Sequence, residues 1–504
     1  MIGGLKVDRG SFRVVRAWIL AIAGWTIPGR VAGADETAAA FDPRAEIVQG
    51  RVATIVARKE LDGATLGIEA RSITRGTVLL RRDSARALIP ASNLKLLTLA
   101  LSLELLGEDF CFKTPMLISG PIDEHGTVCG DLWVIGGGDP TLQPMFFESE
   151  DEESALNPFV RALEDRNIRR VEGDLVVDDR RFDSQWVHPT WPADQLGLDY
   201  CAPVSALSLN ANCLSVWVSG ERSARLAPEV DGFRALVQLK PGATPQECVV
   251  SVLQPDPAGE VVVRGTIGTD VGATRLRVPV IDATLFFGRA LRSKLARAGV
   301  TLAGGVRRPL DGEAPSKHAR EVFCRRSPVR PALYLCGKES DNLIAEHLFK
   351  TCAVESGLPG SFEAAGSAAL EFIAECGGDP ADNCIADGSG LSRENRISAA
   401  NLVSVLEHMY QGPARDPYMR SLSICGVDGT LEKRMGDDFM RSRVRAKSGY
   451  LRAVSGLSGY VMGGSRQEPE VIAFSILIND FKGANSGMKD VQNEICRVLA
   501  GLHP

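Results

Sequence analysis

The segment Ser92–Leu106, SNLKLLTLALSLELL, is apolar on nearly every side when it is drawn as a helix. A surface helix has a single apolar stripe, so this composition predicts a helix buried at the centre of a domain. Ser92 and Lys95 occupy its first turn, where residues three apart share one face and the amine can reach the hydroxyl. Burial would favour a neutral Lys95 that acts as a general base, and the positive end of the helix dipole would favour an oxyanion at Ser92.

The S-x-x-K spacing of Ser92 and Lys95 is weak support by itself. Average residue usage gives about one chance match in a chain of this length, and a second match does occur at Ser486–Lys489. The identification of Ser92 as a nucleophile therefore depends on other motifs.

The tripeptide Ser340-Asp341-Asn342 opens a predicted helix with the sequence SDNLIAEHLFK. Its residues have the polar groups that a catalytic site needs to position a substrate and relay protons. Because Ser, Asp and Asn are also the residues that helices prefer at the N-cap, capping is the alternative interpretation.

The tripeptide Lys447-Ser448-Gly449 lies on a predicted strand, VRAKSGYL. A glycine within a strand often marks the close approach of another backbone, and a peptide that pairs with an edge strand would need that space. Lys447 and Ser448 would then contact the terminal carboxylate of the peptide. The alternative is a solvated lysine beside a bulge glycine.

The chain of 504 residues is long enough for two or three domains. Helical and alternating patterns before residue 108 and after residue 326 flank a stretch of short strands with Gly, Pro and Asp turns. This order predicts a mixed α/β protein whose core is split by a β-rich insertion. The predicted elements are a hairpin at 66–82, strands at 111–118, 128–135, 175–177, 213–219 and 261–267, helices near 341–354, 362–376, 398–411 and 485–500, and strands near 443–450, 455–463 and 470–479.

Residues 1–34 have a basic start, the apolar core Ala17–Gly29 and the small residues Ala32-Gly33-Ala34 before Asp35. This pattern predicts a cleaved export signal, because the apolar core is too short for the alternative, a membrane anchor. The net charge of −6 gives no indication of a nucleic-acid or anionic membrane partner.

The cysteines and histidines have no metal-ligand spacing. The twelve cysteines include no C-x-x-C pair and the six histidines form no cluster, so neither a metal nor a cofactor is expected. Cys376 and Cys384 flank a loop that a disulfide could staple, but spacing alone does not decide the pairing.

The ordered set S-x-x-K, S-D-N and K-[S/T]-G is the signature of penicillin-binding proteins and serine β-lactamases, and the match at Ser486 lacks both partner motifs. The chain resembles, in particular, the class C low-molecular-mass penicillin-binding proteins, the penicillin-binding protein 4 type of D-Ala-D-Ala carboxypeptidase/endopeptidase. Further segments that carry this resemblance are GDLWVIGGGDPTL (Gly130–Leu142), GDLVVDDRRF (Gly173–Phe182), PVSALSLNANCL (Pro203–Leu214), ADGSGLSRENRIS (Ala386–Ser398) and GVDGTLEKR (Gly426–Arg434).

The resemblance implies a transpeptidase-like α+β domain formed by residues 35–108 and 326–504. An inserted β-rich domain would occupy residues 109–325, with a smaller domain nested inside it near 213–275. Expected substrates are the stem peptides of peptidoglycan, and β-lactams would inhibit by mimicking their D-Ala-D-Ala ends. The expected location is the bacterial periplasm or cell envelope, with no spanning helix in the exported form.

The resemblance also implies roles for single residues. Ser92 would be the nucleophile and Lys95 its base, while Ser340 and Asn342 relay protons and position the substrate. The remaining assignments are Lys447 and Ser448 for the terminal carboxylate, the backbone N–H groups of Ser92 and of Tyr450 after Gly449 for the oxyanion hole, and Asp178 and Arg393 for recognition of the peptide side chain.

Tyr450 departs from the family pattern, in which a small hydroxylated residue follows the glycine. Its ring is expected to change which stem peptides are accepted rather than the chemistry at Ser92. A serine β-lactamase and a non-enzymatic cell-wall-binding scaffold remain the alternatives. The balance of carboxypeptidase and endopeptidase activity and the oligomeric state stay open.

Overall fold

A computed structural model describes residues 40–147, 149, 151–256, 258–464 and 469–502. The predicted export signal, residues 1–34, lies outside these residues. The first section contains α1 (Ala45–Val56), β1 (Thr65–Ser72), β2 (Thr77–Arg82), β3 (Ala87–Leu88) and α2 (Lys95–Leu105).

The middle section is mainly short strands. It contains β4 (Cys111–Ile118), β5 (Thr127–Val128), β6 (Leu132–Ile135), α3 (Asn157–Glu164), β7 (Arg170–Val171), β8 (Leu175–Asp178), β9 (Cys213–Ser219), β10 (Ser223–Ala227), β11 (Arg234–Pro241), β12 (Cys248–Val252), β13 (Glu260–Ile267), β14 (Thr274–Pro279), α4 (Ala283–Arg297), β15 (Thr301–Leu302), β16 (Val306–Arg307) and β17 (Arg320–Pro328).

The last section returns to helices and longer strands. It contains α5 (Arg330–Lys338), α6 (Asn342–Glu355), α7 (Phe362–Glu375), β18 (Ile397–Ser398), α8 (Ala399–Gln411), α9 (Arg415–Ser421), β19 (Ser423–Ile424), β20 (Val444–Leu451), β21 (Val454–Gly464), β22 (Pro469–Asn479) and α10 (Asn485–Ala500). The predicted order of helices and strands in this section is confirmed.

One antiparallel sheet joins the two ends of the chain. Its strand order is β19-β20-β21-β22-β1-β2, so the first hairpin pairs with the last strand. Along β22, Ala473 and Leu477 pack with the helices on one face, while Ile472, Phe474 and Ile476 pack with α1 and α10 on the other. Both faces of this sheet are therefore covered, which explains the nearly continuous apolar sequence of β22.

The helix α2 lies inside the layer on the first face of this sheet. Its side chains are buried without interruption from Lys95 to Leu103, and it packs against α5, α6, α7, α8 and α9. The prediction of a central buried helix is confirmed. A lysine at its first turn is thereby placed in an apolar environment, where the cost of a charge is high.

The middle section forms four small sheets around a separate apolar core. A five-stranded sheet, β16-β8-β6-β4-β17, and a short sheet, β15-β7-β5, contain the strands nearest to the junctions with the rest of the chain. The strands β9 to β14 form two three-stranded sheets in the stretch for which a nested domain is predicted. The predicted mixed α/β fold with a β-rich middle section is confirmed, and the domain boundaries stay a prediction.

Three details differ from the expectation or complete it. The strand predicted at 128–135 is two strands, β5 and β6, which belong to different sheets and are separated at Gly130. All twelve cysteines are free thiols, so the possible Cys376–Cys384 staple is absent. In the part of the chain described, no helix combines the length and the hydropathy required to cross a bilayer.

Candidate active site

Ser92 lies in a tight 3-10 turn, Ala91–Leu94, that leads into α2. Ala91 has a positive φ of 48°, an uncommon conformation for a residue with a Cβ. Gly390 holds this turn from outside, because a Cβ at that glycine would lie 1.9 Å from the Ala91 carbonyl oxygen. Backbone strain of this kind persists where the surrounding structure enforces it, and such positions cluster at active sites.

The Lys95 amine is the centre of the site. Lys95 is fully buried, and its Nζ lies 3.1 Å from the Ser92 Oγ, 2.8 Å from the Asn342 Oδ1 and 2.8 Å from the Ser389 carbonyl oxygen. None of these three partners is a carboxylate. Burial in the apolar helix layer lowers the pKa of Lys95 from its usual value, which favours the neutral amine.

The three contacts define how a neutral Lys95 would be oriented. A neutral amine has two N–H donors and one lone pair, while the Asn342 Oδ1 and the Ser389 carbonyl can only accept. The Asn342 Nδ2 donates to the Tyr200 carbonyl at 3.0 Å, which fixes the amide so that its oxygen faces the lysine. With both N–H groups used in this way, the lone pair is directed at the Ser92 hydroxyl.

The motif Ser340-Asp341-Asn342 caps a helix and also contacts the Lys95 amine. The Asp341 carboxylate accepts a hydrogen bond from the Ile344 N–H at 2.8 Å and caps α6. Asn342, the first residue of the helix, contacts Lys95. Ser340 precedes the cap with a positive φ of 62° and lines the cavity next to Ser92.

Lys447 is a residue of β20 whose side chain is buried and does not line the open cavity. It is fully buried, its Nζ donates to the Ser448 carbonyl at 2.9 Å, and burial lowers its pKa to about 7. The Ser448 hydroxyl points to the other side and donates to the Thr430 Oγ1 at 2.9 Å. Strand β19 pairs only with Arg445 and Ala446, so the following part of β20 has a free edge among the described strands.

Gly449 is required by the turn that carries Ser92. A Cβ at this position would lie 2.6 Å from the Asn93 Nδ2 and 2.9 Å from both the Pro90 carbonyl oxygen and the Ser92 nitrogen. The close approach predicted from a glycine in a strand is therefore present. The approaching backbone belongs to this chain, which couples the position of β20 to that of Ser92.

Replacing Gly449 with alanine is expected to lower the rate at which a penicillin acylates Ser92 by about 100-fold, because the new methyl group must displace the Ser92 turn. Gly463→Ala in the neighbouring strand is the matched control, since a Cβ there would meet its nearest atom at 3.5 Å. Stopped-flow or quenched mass-spectrometric measurement of adduct formation gives both rates. Equal rates for Gly449→Ala and the unchanged protein would contradict this coupling.

A cavity of about 320 Å³ opens in front of Ser92. Most of its lining residues have hydroxyl or amide side chains or are glycines, two are cationic and none is acidic: Ser92, Ser340, Thr430, Arg434, Ser448, Gly449, Tyr450, Ser455, Gly456, Asn485 and Lys489. Tyr450 is 57% exposed at this cavity. A polar cavity with cations and no carboxylate suits an anionic ligand.

Two predicted recognition residues lie apart from the residues around Lys95. Asp178 is at the end of β8 in the middle section, where its carboxylate accepts from Arg180 at 2.8 Å and 2.6 Å. Arg393 is exposed, and its guanidinium donates to the Arg452 carbonyl at 3.0 Å, beside the turn that follows Tyr450. Neither residue lines the cavity at Ser92.

Four residues at the site were not identified from the sequence: Tyr200, Glu346, Ser389 and Thr430. Ser389 is fully buried, so the GxSxG-like segment DGSGL contributes a carbonyl to Lys95 and no exposed nucleophile. Two of the four could have been found from the sequence. Thr430 lies within the GVDGTLEKR segment that carries the family resemblance, and Glu346 lies one helical turn after Asn342. Tyr200 contributes only its backbone carbonyl, for which side-chain identity gives no signal.

A hydroxyl, a buried amine and an amide converging beside a polar cavity define the class of protein as a serine acyl-transfer enzyme. Residues 48–502 match the D-Ala-D-Ala carboxypeptidase 3 (S13) family, and the chain belongs to that family. It is accordingly a serine-type carboxypeptidase, a hydrolase. The predicted family is confirmed.

Individual relatives agree with this membership. The D-alanyl-D-alanine carboxypeptidase of Actinomadura sp. (strain R39) is 30% identical over 444 residues, which cover 84% of this chain and 79% of that protein. The D-alanyl-D-alanine carboxypeptidase DacB of Haemophilus influenzae is 25% identical over 436 residues, covering 83% of this chain and 86% of the relative.

The crystal structure of penicillin binding protein 4 from Haemophilus influenzae has the same fold. It superposes with a TM-score of 0.76 at 23% sequence identity, over 90% of this chain and 99% of that chain. A second crystal structure of that protein, with a TM-score of 0.72, contains a β-lactam.

Proposed function

We propose that the protein removes the terminal D-Ala from peptidoglycan stem peptides through an acyl-enzyme on Ser92, and that β-lactams acylate the same hydroxyl. The observation that carries this proposal is the arrangement of the buried Lys95 Nζ, which lies within hydrogen-bond distance of the Asn342 Oδ1, the Ser389 carbonyl oxygen and the Ser92 Oγ. Family membership supports the substrate class, and the cationic cavity supports an anionic peptide end.

In the first step, neutral Lys95 accepts the Ser92 proton as the Oγ attacks the carbonyl carbon of the penultimate D-Ala. The oxyanion is bound by the backbone N–H groups of Ser92 and Tyr450, which the contact of Gly449 with the Ser92 turn holds next to each other. The proton then passes to the nitrogen of the terminal D-Ala, directly or through the Ser340 hydroxyl. The C–N bond breaks, D-Ala leaves and an ester remains on Ser92.

In the second step, a water molecule attacks the ester and gives a proton to Lys95. The tetrahedral intermediate is bound by the same two N–H groups and collapses as Lys95 returns the proton to the Ser92 oxygen. The shortened peptide leaves with a new carboxylate, and the enzyme regains its starting protonation. Each oxyanion donor of this kind typically contributes a factor of about 10²–10³ to the rate.

The terminal carboxylate of the substrate is proposed to accept from the Ser448 and Thr430 hydroxyls at the free edge of β20. Lys447 would attract this carboxylate without touching it, since its amine is bonded to the Ser448 carbonyl and does not line the cavity. Arg434, which lines the cavity together with Thr430, adds a second positive charge. Asp178 and Arg393 remain proposed contacts for the distal part of the stem peptide.

Selectivity for a free carboxylate over an amide at the peptide end is expected to fall as the pH rises. Burial lowers the pKa of Lys447 to about 7, so its charge is present at pH 6 and largely lost at pH 8. Loss of an attraction of about 1 kcal/mol would lower the ratio of kcat/KM values about 5-fold over this range. In Lys447→Met the ratio should not change between pH 6 and pH 8, and a constant ratio in the unchanged protein would contradict the role of Lys447.

Cleavage of D-Ala–diamino-acid crosslinks is a second proposed activity, because it uses the same hydroxyl, base and oxyanion site with a larger leaving amine. The proposed location is the periplasm or cell envelope, where both substrates occur. Stem peptides and β-lactams are the proposed partners.

Mass spectrometry after incubation with a penicillin tests this function against its alternatives. A persistent adduct on Ser92, together with D-Ala release from a stem pentapeptide, supports the carboxypeptidase. Rapid turnover of the penicillin would indicate a β-lactamase. Absence of both the adduct and D-Ala release would indicate a non-enzymatic scaffold and overturn the proposal.

A further inference from the structure

Helix α6 contacts the Lys95 environment at two positions, one turn apart. Asn342 binds the Lys95 amine directly. Glu346, four residues later and so on the same helix face, is fully buried and reaches the turn at Gly388 and Ser389. The reaction steps proposed above assign no role to Glu346. Its carboxyl makes no hydrogen bond to Ser92 or Lys95, and it does not line the cavity.

The Glu346 carboxylate holds this turn by both of its oxygens. Its Oε2 accepts from the Gly388 N–H at 2.7 Å and its Oε1 accepts from the Ser389 N–H at 2.8 Å. Thr98, on α2 one turn after Lys95, donates to the Gly388 carbonyl at 2.6 Å. The Ser389 carbonyl that accepts from Lys95 is thus fixed from two helices, and Glu346 provides two of the three bonds.

Glu346 lacks a cationic partner within hydrogen-bond distance in the portion of the chain that the structure describes. A buried carboxylate without such a partner is costly, and burial raises the pKa of Glu346 to about 8. The Glu346 carboxyl is therefore mostly neutral near pH 7, and it holds the turn through its two hydrogen bonds rather than through a negative charge.

The other ionisable groups around Lys95 are Cys336 from α5, Asp341 from α6, Asp387 from the turn and Lys447 from β20. Burial raises the pKa of Cys336 to about 12, so that thiol is neutral near pH 7.

Asp387 is fully buried, and it also faces Glu346. It accepts from the Trp191 indole, the Asn395 amide and two backbone N–H groups, all of them neutral donors. Among these acids near Lys95, Glu346 is the one that accepts from the N–H groups of Gly388 and Ser389, the turn whose carbonyl is bonded to the lysine.

We propose that Glu346 is a positioning residue for acylation, which fixes the Ser389 carbonyl on Lys95 through the Gly388–Ser389 turn. This inference rests on the proposed role of Lys95 as the base. Weakening the contacts of Glu346 with the turn should change the orientation of the lysine amine, so acylation should slow although the base is still present.

The test is the pH dependence of penicillin acylation in Glu346→Gln, Glu346→Asp and Thr98→Val. Glu346→Gln can accept only one of the two N–H groups, so we expect the maximal rate to fall about 10-fold. The midpoint of the acid limb should stay, because the mostly protonated carboxyl and the amide that replaces it are both neutral. Glu346→Asp keeps the carboxyl but is one methylene shorter, so the rate should fall here as well.

Thr98→Val is the second variant, and it retains every charge while it removes the bond to the Gly388 carbonyl. It is expected to lower the maximal rate without moving the midpoint. A shifted midpoint in Glu346→Gln would mean that Glu346 acts through its charge, and it would overturn the positioning role. An unchanged maximal rate in both Glu346→Gln and Thr98→Val would also overturn it. An unchanged protein that forms no adduct overturns the proposed function instead, and this inference with it.

Discussion

Replacing Ser92 with alanine is expected to abolish both penicillin adduct formation and D-Ala release, with a rate loss of about 10⁴-fold or more. The reason is that the cavity contains no second nucleophile placed against a neutral amine. Ser340 and Ser448 also line this cavity, but the Ser448 hydroxyl is bonded to Thr430, and Lys95 is bonded to Ser92. Electrospray mass spectrometry of the intact protein after reaction with a penicillin measures the loss directly.

Ser486→Ala is the matched control for this substitution, because Ser486 and Lys489 have the same S-x-x-K spacing at the start of α10. Both residues are exposed, and Ser486 does not line the Ser92 cavity, although Lys489 does. This variant should form the adduct at the rate of the unchanged protein. An adduct that persists in Ser92→Ala and disappears in Ser486→Ala would reverse the assignment of the nucleophile.

Replacing Lys95 with methionine is expected to lower the acylation rate by about 10³-fold, near the middle of the range for the loss of a general base. Methionine has a similar length and is suited to a buried position, but it leaves the Ser92 proton without an acceptor. The residual rate should also lose the acid limb of its pH profile, because the group that titrates is gone. Quenched-flow acylation over a range of pH values tests both statements.

Lys350→Met is the matched control for this second substitution. Lys350 is also fully buried in α6, but its amine is bonded to Asp183 at 2.7 Å and to the Gln185 carbonyl at 2.9 Å. Acylation should remain within about 3-fold, while the free energy of unfolding should fall by about 1–3 kcal/mol, because partly exposed Asp183 loses its partner. Equal loss of acylation in both variants would mean that Lys95 acts through stability and not as the base.

The periodicity of apolar residues and the positions of turn residues were sufficient to predict much of the fold. The final helix and the strands β4 and β9 begin and end where the sequence pattern places them. The prediction was wrong at 128–135, where Gly130-Asp131 interrupts the apolar run and separates β5 from β6. The two short strands pair in different sheets, a property that the local sequence does not specify.

The residues around Lys95 were predicted with uneven success. The order of the three motifs selected Ser92, Lys95 and Asn342, and the structure brings these three together. The expectation that Gly449 leaves space for a substrate missed its contact with the turn of Ser92. Glu346 was passed over because an acid in the middle of a helix is ordinary, and its importance lies in a bond to a turn more than 40 residues away.

The amino-acid sequence by itself determined the family and the buried helix that begins at Lys95, and it predicts Ser92 as the nucleophile. It could do so because motif order and apolar periodicity are properties of the chain read along its length. Only the tertiary structure decided that Lys95 is bonded to no carboxylate, that the Lys447 side chain does not line the cavity and that Glu346 holds the Ser389 turn. Those properties depend on desolvation and on contacts between distant segments, which exist only after the ends of the chain have closed into one sheet.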